Sequence, residues 1–210
     1  MQVWHNSALV EPKLRPADDI TPQGPAVTGR RIRPTAGCKE NLMWLRACLE
    51  DCVANHRDCV LPTEPGHRQD GSGDQVSLPT RVLDLGDGPH PQTVYVFDTC
   101  GRTGSYAALS HCWGNARMLT TTTSTLAEHR LGIKVSHLSK SFREAIVVSK
   151  AMGVRYLWIN SLCIIQDSPE DWSRESSNMA VIYKQAKFTI SATGAKDGRE
   201  GCFLPRIDLR

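Results

Sequence analysis

Gly153-Val-Arg-Tyr-Leu-Trp-Ile-Asn-Ser-Leu-Cys-Ile-Ile-Gln166 is the stretch that decides the fold. It reads as an apolar strand interrupted by Asn160, Ser161 and Cys163. The residues after it read as a helix that carries one carboxylate, Glu175, on its apolar face. A run this hydrophobic ordinarily only builds a core. Polar groups at its carboxyl end put this one where open α/β sheets hold their sites.

Working back, Gly153 stands at a left-handed helix stop. The helix before it contains Ser141-Phe-Arg-Glu144, which has capping-box spacing, and turns Phe142, Ala145, Ile146 and Met152 inward. Working forward, Ser168-Pro-Glu-Asp171 supplies a cap, a proline at the first helical position and acid in the first turn. That helix runs to about Tyr183, and strand Phe188–Ala192 closes the pattern. Earlier, Tyr106–Trp113 reads as a strand ending at Gly114. Thr125-Leu-Ala-Glu128 repeats the capping spacing and starts a short helix that stops near Gly132. Strand, helix, strand, helix, strand with short links predicts parallel strands joined by right-handed crossovers. The expected fold class is α/β, a central and mostly parallel sheet with flanking helices.

Upstream, residues 41–56 read as a helix with Leu42, Leu45, Leu49 and Val53 on one face. Residues 62–77 turn polar and rich in Gly, Pro and Asp, which marks a loop. Strands Thr80–Leu85 and Thr93–Asp98 flank Gly86-Asp-Gly-Pro89, the pattern of an antiparallel hairpin. Residues 1–37 hold Pro12, Pro16, Pro22, Pro25 and Pro34 with little periodicity, and read as a disordered leader. The expected division is a leader (1–37), a small helix and hairpin module (38–100) and the α/β domain (101–210).

The chain has 210 residues, 40% of them hydrophobic, so it can bury a core. A net charge of +3 is too mild to argue for nucleic acid, and Arg30, Arg31 and Arg33 form a short cluster that solvates a loop. No apolar run reaches the roughly 18–20 residues that cross a bilayer, so no membrane span is expected. Residues 1–20 mix charge and proline and carry no secretory signal. Eight cysteines in a long chain without a signal peptide point to a reducing, intracellular setting, and the expected location is the cytoplasm.

Cys48, Cys52, His56 and Cys59 have the composition of a zinc site. On one straight helix Cys48 and Cys59 lie roughly 16 Å apart, whereas zinc gathers its ligands within about 2.0–2.3 Å of one point. The set works only if the helix breaks between Cys52 and His56. The expectation is a structural cysteine-rich buried face capped by His56, with no metal. His111 and Cys163 form a nucleophile pair only if neighbouring strands bring them into contact; buried structural cysteine is the alternative. Glu175 falls in the stripe of Trp172, Met179 and Ile182, where an unpaired carboxylate is costly. It must line a site, titrate, or pair with an arginine, Arg143 and Arg155 being the candidates. Ser110, Trp113 and Asn160 end the two core strands. They either converge on a crevice or satisfy tight strand-to-helix turns.

Tyr106-Ala-Ala-Leu-Ser-His-Cys-Trp-Gly114 resembles the opening motif of the fungal heterokaryon-incompatibility (HET) domain. Leu138 to Ala145 is similar to its second block, Arg155 to Asp167 to its signature strand, and Asp171-Trp172, Glu175, Met179, Ile182-Tyr183 and Ala186 to the helix that follows. Gly201, Phe203 and Arg206 fit the next block. The resemblance covers roughly residues 106–206. Upstream, Trp44-Leu45, Cys48, His56, Cys59 and Leu78-Pro-Thr-Arg81 resemble the segment that often precedes this domain.

The resemblance implies a cytoplasmic effector that triggers regulated cell death when unlike hyphae fuse, by self-association or recruitment of protein partners. It also implies a remote likeness to Toll/interleukin-receptor (TIR) domains. Some of these cleave NAD with a helix glutamate, which makes Glu175 the catalytic candidate, Ser110, Trp113 and Asn160 candidate substrate-binding residues, and NAD a substrate rather than a cofactor. Asn160 stands where the family usually has aspartate, and the chain ends soon after the domain. Both features fit a third expectation, an inactive, truncated remnant.

Overall fold

The computed structural model describes residue 33 and residues 35–56, 76–114 and 118–204. Contacts within the chain separate Met1–Pro34 from a compact unit, Thr35–Arg210, to which all described elements belong. Apart from Arg33 and residues 35–37, the expected leader lies outside the described residues.

The elements in order are α1 (Lys39–Asn55), β1 (Val76–Ser77), β2 (Arg81–Asp84), β3 (Thr93–Asp98), β4 (Thr103–Gly104), β5 (Tyr106–Ser110) and α2 (Leu126–Leu131). Then follow β6 (Ile133–Lys134), α3 (Lys140–Ala151), β7 (Tyr156–Ile159), α4 (Asn160–Cys163), α5 (Pro169–Gln185) and β8 (Phe188–Ser191). Six strands form one sheet in the order β6-β3-β2-β7-β5-β8, and β1 pairs separately with β4.

β5 lies parallel to both β7 and β8, as the strand–helix alternation predicts. The rest of the sheet is antiparallel: β7 to β2, β2 to β3, and β3 to β6. The sheet is therefore mixed, which corrects the expectation of a mostly parallel one. The physical reason is the hairpin. Instead of standing apart, β2–β3 zips onto the open edge of β7, with Leu83 opposite Leu157. Docking there buries Val82, Leu83, Val94 and Val96, and removes an edge that a parallel core strand cannot leave bare. The sheet thus runs across the expected boundary at residues 100 and 101.

Other corrections are local. β5 ends at Ser110 and not Trp113, and the chain from His111 leaves the sheet towards Gly114. Gly114 has φ +55, and a Cβ there would lie 2.5 Å from the Lys196 carbonyl oxygen, so glycine is required by the close approach of the 196–197 loop. α3 is capped by Ser139, whose Oγ accepts from the Phe142 N–H, so Ser141 is not the cap. Glu144 is then free for another task. Its Oε2 accepts the backbone N–H groups of Cys202 (2.6 Å) and Phe203 (2.8 Å), fastening the segment after β8 to α3. A Cβ on Gly201, at φ +88, would strike this carboxylate. Gly153 does end α3 in the left-handed conformation, at φ +75.

The core lies where β5 and β7 meet α3 and α5. Trp158, Tyr106, Phe142, Leu109 and Leu157 are fully buried. Tyr106 donates its hydroxyl to the Ile182 carbonyl (2.6 Å), and Trp158 meets Tyr183 edge-on at 5.4 Å. The two strands thereby hold the second half of α5. Among the described residues, no helix is long and apolar enough to cross a membrane. Tyr106→Phe keeps the ring and deletes one buried hydrogen bond. It should cost about 1 kcal/mol, read as a lowered urea midpoint with unchanged slope.

Candidate functional site

Ser168 opens α5 by accepting the Asp171 N–H at 3.3 Å, with Pro169 at the first helical position. The helix turns Asp171, Glu175 and Ile182 inward, with Met179 half-buried between the last two. Trp172 is 54% exposed, which corrects its expected place in the apolar stripe. Successive helical residues differ by about 100° around the axis. The fully buried positions Asp171, Ile182 and Glu175 span about 40° of the helix, and Trp172 stands roughly 60° beyond Glu175, past the half-buried Met179 at the margin of that face. The buried face of the first two turns is acidic rather than apolar.

Burying two carboxylates demands counter-charge. It comes from β2. The antiparallel register sets Arg81 beside the carboxyl end of β7. Its Nε donates to the Cys163 carbonyl at 2.8 Å, closing the turn of α4. The same guanidinium pairs with Asp171 and lies 3.9 Å from Glu175 Oε1. Arg174 completes the set from the solvent side. It pairs with Asp171, and its Nε donates to Glu175 Oε1 at 3.1 Å. Asp171 also accepts the Ile165 N–H at 2.9 Å. Arg81, Asp171 and Glu175 are only 5%, 5% and 1% exposed. Burial pushes the Asp171 pKa up, but the Ile165 N–H and the Arg81 guanidinium outweigh it, and the net shift is downward.

The arginines anticipated for Glu175 lie elsewhere. Arg143 donates to the Leu138 carbonyl, and Arg155 pairs with Asp84 and Asp87 at the opposite edge of the sheet. That opposite edge also holds an open concavity of about 310 Å³ beside Gly86, Lys150 and Arg155. The cations there are already engaged, Arg155 by the two aspartates and Lys150 by the Gly86 carbonyl at 2.6 Å.

Ser110 and Asn160 end adjacent parallel strands, since Leu109 pairs with Ile159. The fold thus brings them to one edge, and Arg81 to the same edge. Ser110 is exposed, and Trp113 is 40% exposed. Asn160 Oδ1 accepts the Ser161 N–H at 2.8 Å, and its carbonyl accepts from the Gln166 side chain at 3.0 Å. It braces the first residues of the α4 turn, whose cap position is Ile159. No hydrogen bond or ion pair among the described residues joins Glu175 to Ser110, Trp113 or Asn160.

Cys163 and His111 do not form a nucleophile pair. The Cys163 sulfur accepts the Ile159 N–H at 3.4 Å, and burial pushes its thiol up to about 12. His111 packs edge-on against Phe142 at 5.1 Å, and its Nε2 is buried without a partner. In the cysteine-rich segment α1 does end at Asn55, with His56 extended just beyond it. Cys48 and Cys52 are half-buried and His56 is exposed, so the expected buried face capped by histidine is not formed. Cys59 lies outside the described residues, and no group of three metal-ligating side chains occurs among those described.

Sequence reasoning missed Arg81 and the inward turn of Asp171. It also missed Thr121, which donates to the Leu162 carbonyl (2.7 Å) and so accepts from His129 Nδ1 (2.9 Å), fixing the tautomer of a buried histidine. The signal for Arg81 was an arginine at the head of an otherwise apolar strand.

Burial lowers the pKa of both His111 and His129. Both are neutral in the fold, so the unfolded chain binds more protons below the ordinary imidazole value of about 6.5. Stability is full above that value and falls as pH drops from it through the lower folded values; Asp171 adds a second loss below the ordinary aspartate range. The thermal midpoint should fall on acidification from pH 7 to 5, and fall less in His129→Gln.

The family model for heterokaryon incompatibility protein (HET) matches residues 106–207. No curated protein and no solved structure matches the chain. The matched segment begins at the first residue of β5 and contains α3, the β7–α4 signature and the acidic face of α5. Residues 106–207 thus carry a heterokaryon incompatibility (HET) domain.

Proposed function

We propose that this chain is an effector or signalling protein of the incompatibility type, triggering regulated cell death in fungal non-self recognition through self-association or recruitment of protein partners. One observation carries the choice of mechanism: the Glu175 carboxylate is 1% exposed and sits between two arginines. A group so enclosed holds a helix in place. The other motif residues have similar tasks. Tyr106 and Trp158 anchor α5, Glu144 and Gly201 fasten the loop after β8, and Gly114 admits the 196–197 loop. Trp113 and Trp172 are large exposed motif side chains that can make contacts outside the fold, and tryptophan is enriched at interface hot spots.

A second reading is NAD cleavage of the TIR kind, with Glu175 as the catalytic residue and Ser110, Trp113 and Asn160 around the substrate. One observation favours it: Ser110 and Trp113 stand exposed at the carboxyl edge, the usual place for a ligand in such sheets. The remnant reading draws support from Asn160, but its one side-chain contact, an oxygen accepting the Ser161 N–H, is served as well by asparagine as by aspartate.

Inducible expression in a fungal host, scored for viability and cellular NAD, separates the readings. Wild type should kill with NAD intact. Glu175→Gln should lose about 1–3 kcal/mol of stability through its orphaned guanidinium contacts and still kill where it remains folded. Killing with NAD loss that disappears in folded Glu175→Gln would establish the enzyme instead. Asn160→Asp should leave killing unchanged; a gain would favour the remnant.

A further inference from the structure

We infer that Arg81 is a positioning residue of the unit to which the HET segment belongs: that unit begins upstream of the matched residues, and the β2 guanidinium holds the two carboxylates of Asp171 and Glu175 together on the inner face of α5. The inference goes beyond the functional reading and holds whichever mechanism operates.

The charges require it. Asp171 and Glu175 lie one turn apart, both more than nine-tenths buried. Two carboxylates so placed do not both ionise unless cations face them. Arg174 is 53% exposed and belongs to the same helix, so it cannot hold α5 to anything else. The buried cation is Arg81, from a strand outside residues 106–207. Among the described residues, the remaining groups facing the cluster are the Ile165 N–H and, from α4, the Cys163 carbonyl and its neutral thiol. None of them carries charge.

The preceding residues fix where Arg81 points. Leu78 donates its N–H to the Arg102 carbonyl at 2.9 Å, and Thr99 donates its hydroxyl to the Pro79 carbonyl at 2.8 Å. The Thr99 N–H is bonded to the Thr80 carbonyl at 3.0 Å, and Arg81 then pairs with Asp98 in the ladder. The Leu78-Pro-Thr-Arg81 block is thus a rigid mount for one guanidinium. Without β2, the β7 edge is bare and the acid pair loses its buried counter-charge.

The test uses the full chain and the pH profile of its stability, which a packing role alone does not move. In Arg81→Met, one carboxylate takes up a proton in the fold while the unfolded chain stays ionised at neutral pH. Its pKa is then raised, so its own contribution to stability grows as pH falls from 7 to 5, and the variant should lose less on acidification than the wild type, whose buried histidines it keeps. Arg81→Met/Asp171→Asn removes one charge of each sign; it should lose less than the sum of the single losses and respond less to pH than Arg81→Met. Arg81→Lys keeps the charge and should keep the wild-type slope, which covers the case in which Arg81→Met does not fold. Limited proteolysis of wild type should leave a core that starts at or before Val76. A wild-type pH slope in Arg81→Met, additive losses in the double variant, a lysine variant that behaves as methionine does, or a stable core starting near Tyr106 would each overturn the inference.

Discussion

The fold depends on one buried ion cluster, Arg81 with Asp171 and Glu175, closed from solvent by Arg174. It joins elements about 90 residues apart in sequence and lies where three of them meet: the start of β2, the turn of α4 and the first turns of α5. Such clusters are weak evidence for net stability, because desolvation offsets much of their attraction. They are strong evidence for specificity. A helix with an acidic inner face can dock in only one register against a single guanidinium, whereas an apolar stripe tolerates sliding and rotation. The cost of breaking the pair, about 3–5 kcal/mol when one buried partner is removed, enforces that register.

The same logic orders the rest of the domain. Three further junctions between elements are set by a polar contact and not by apolar packing alone. Tyr106 reaches the Ile182 carbonyl, Glu144 gathers two N–H groups after Gly201, and Thr121 ties the loop before α2 to the Leu162 carbonyl. Buried polar groups without partners are costly, so each junction has few alternatives. A pattern of residues repeated for this reason marks a shape. It marks chemistry only where a group is left open, and the exposed motif residues include Ser110, Cys112, Trp113 and Trp172.

Much of this was legible in the sequence. Periodicity found α3, β7, α5 and the hairpin, and the cap at Ser168 and the stop at Gly153 are where spacing put them. The mixed sheet was not legible, because strand pairing is a long-range choice. Nothing local to Arg81–Asp84 says that it will pair with Tyr156 and Leu157. Glu175 was found because a carboxylate in an apolar stripe breaks a pattern. Asp171 was missed because acid in a first helical turn already has a reason to be there, so its second role left no trace. Arg81 was missed because a counter-ion can come from any element; sequence shows that one is needed and not where it lies.

Asn160 shows how far such reading extends. As a position in a strand-end motif, it invites a catalytic role, and the loss of a carboxylate there invites the idea of a damaged site. In the fold its side chain accepts the N–H of the next residue, and its carbonyl holds both Ile164 N–H and the Gln166 side chain. An amide oxygen and a carboxylate oxygen do the first equally well, and the second belongs to the backbone. The substitution therefore leaves the α4 turn intact. That turn presents the Cys163 carbonyl to Arg81, so what Asn160 preserves is the seat of the ion cluster, one turn of chain away from the charges themselves.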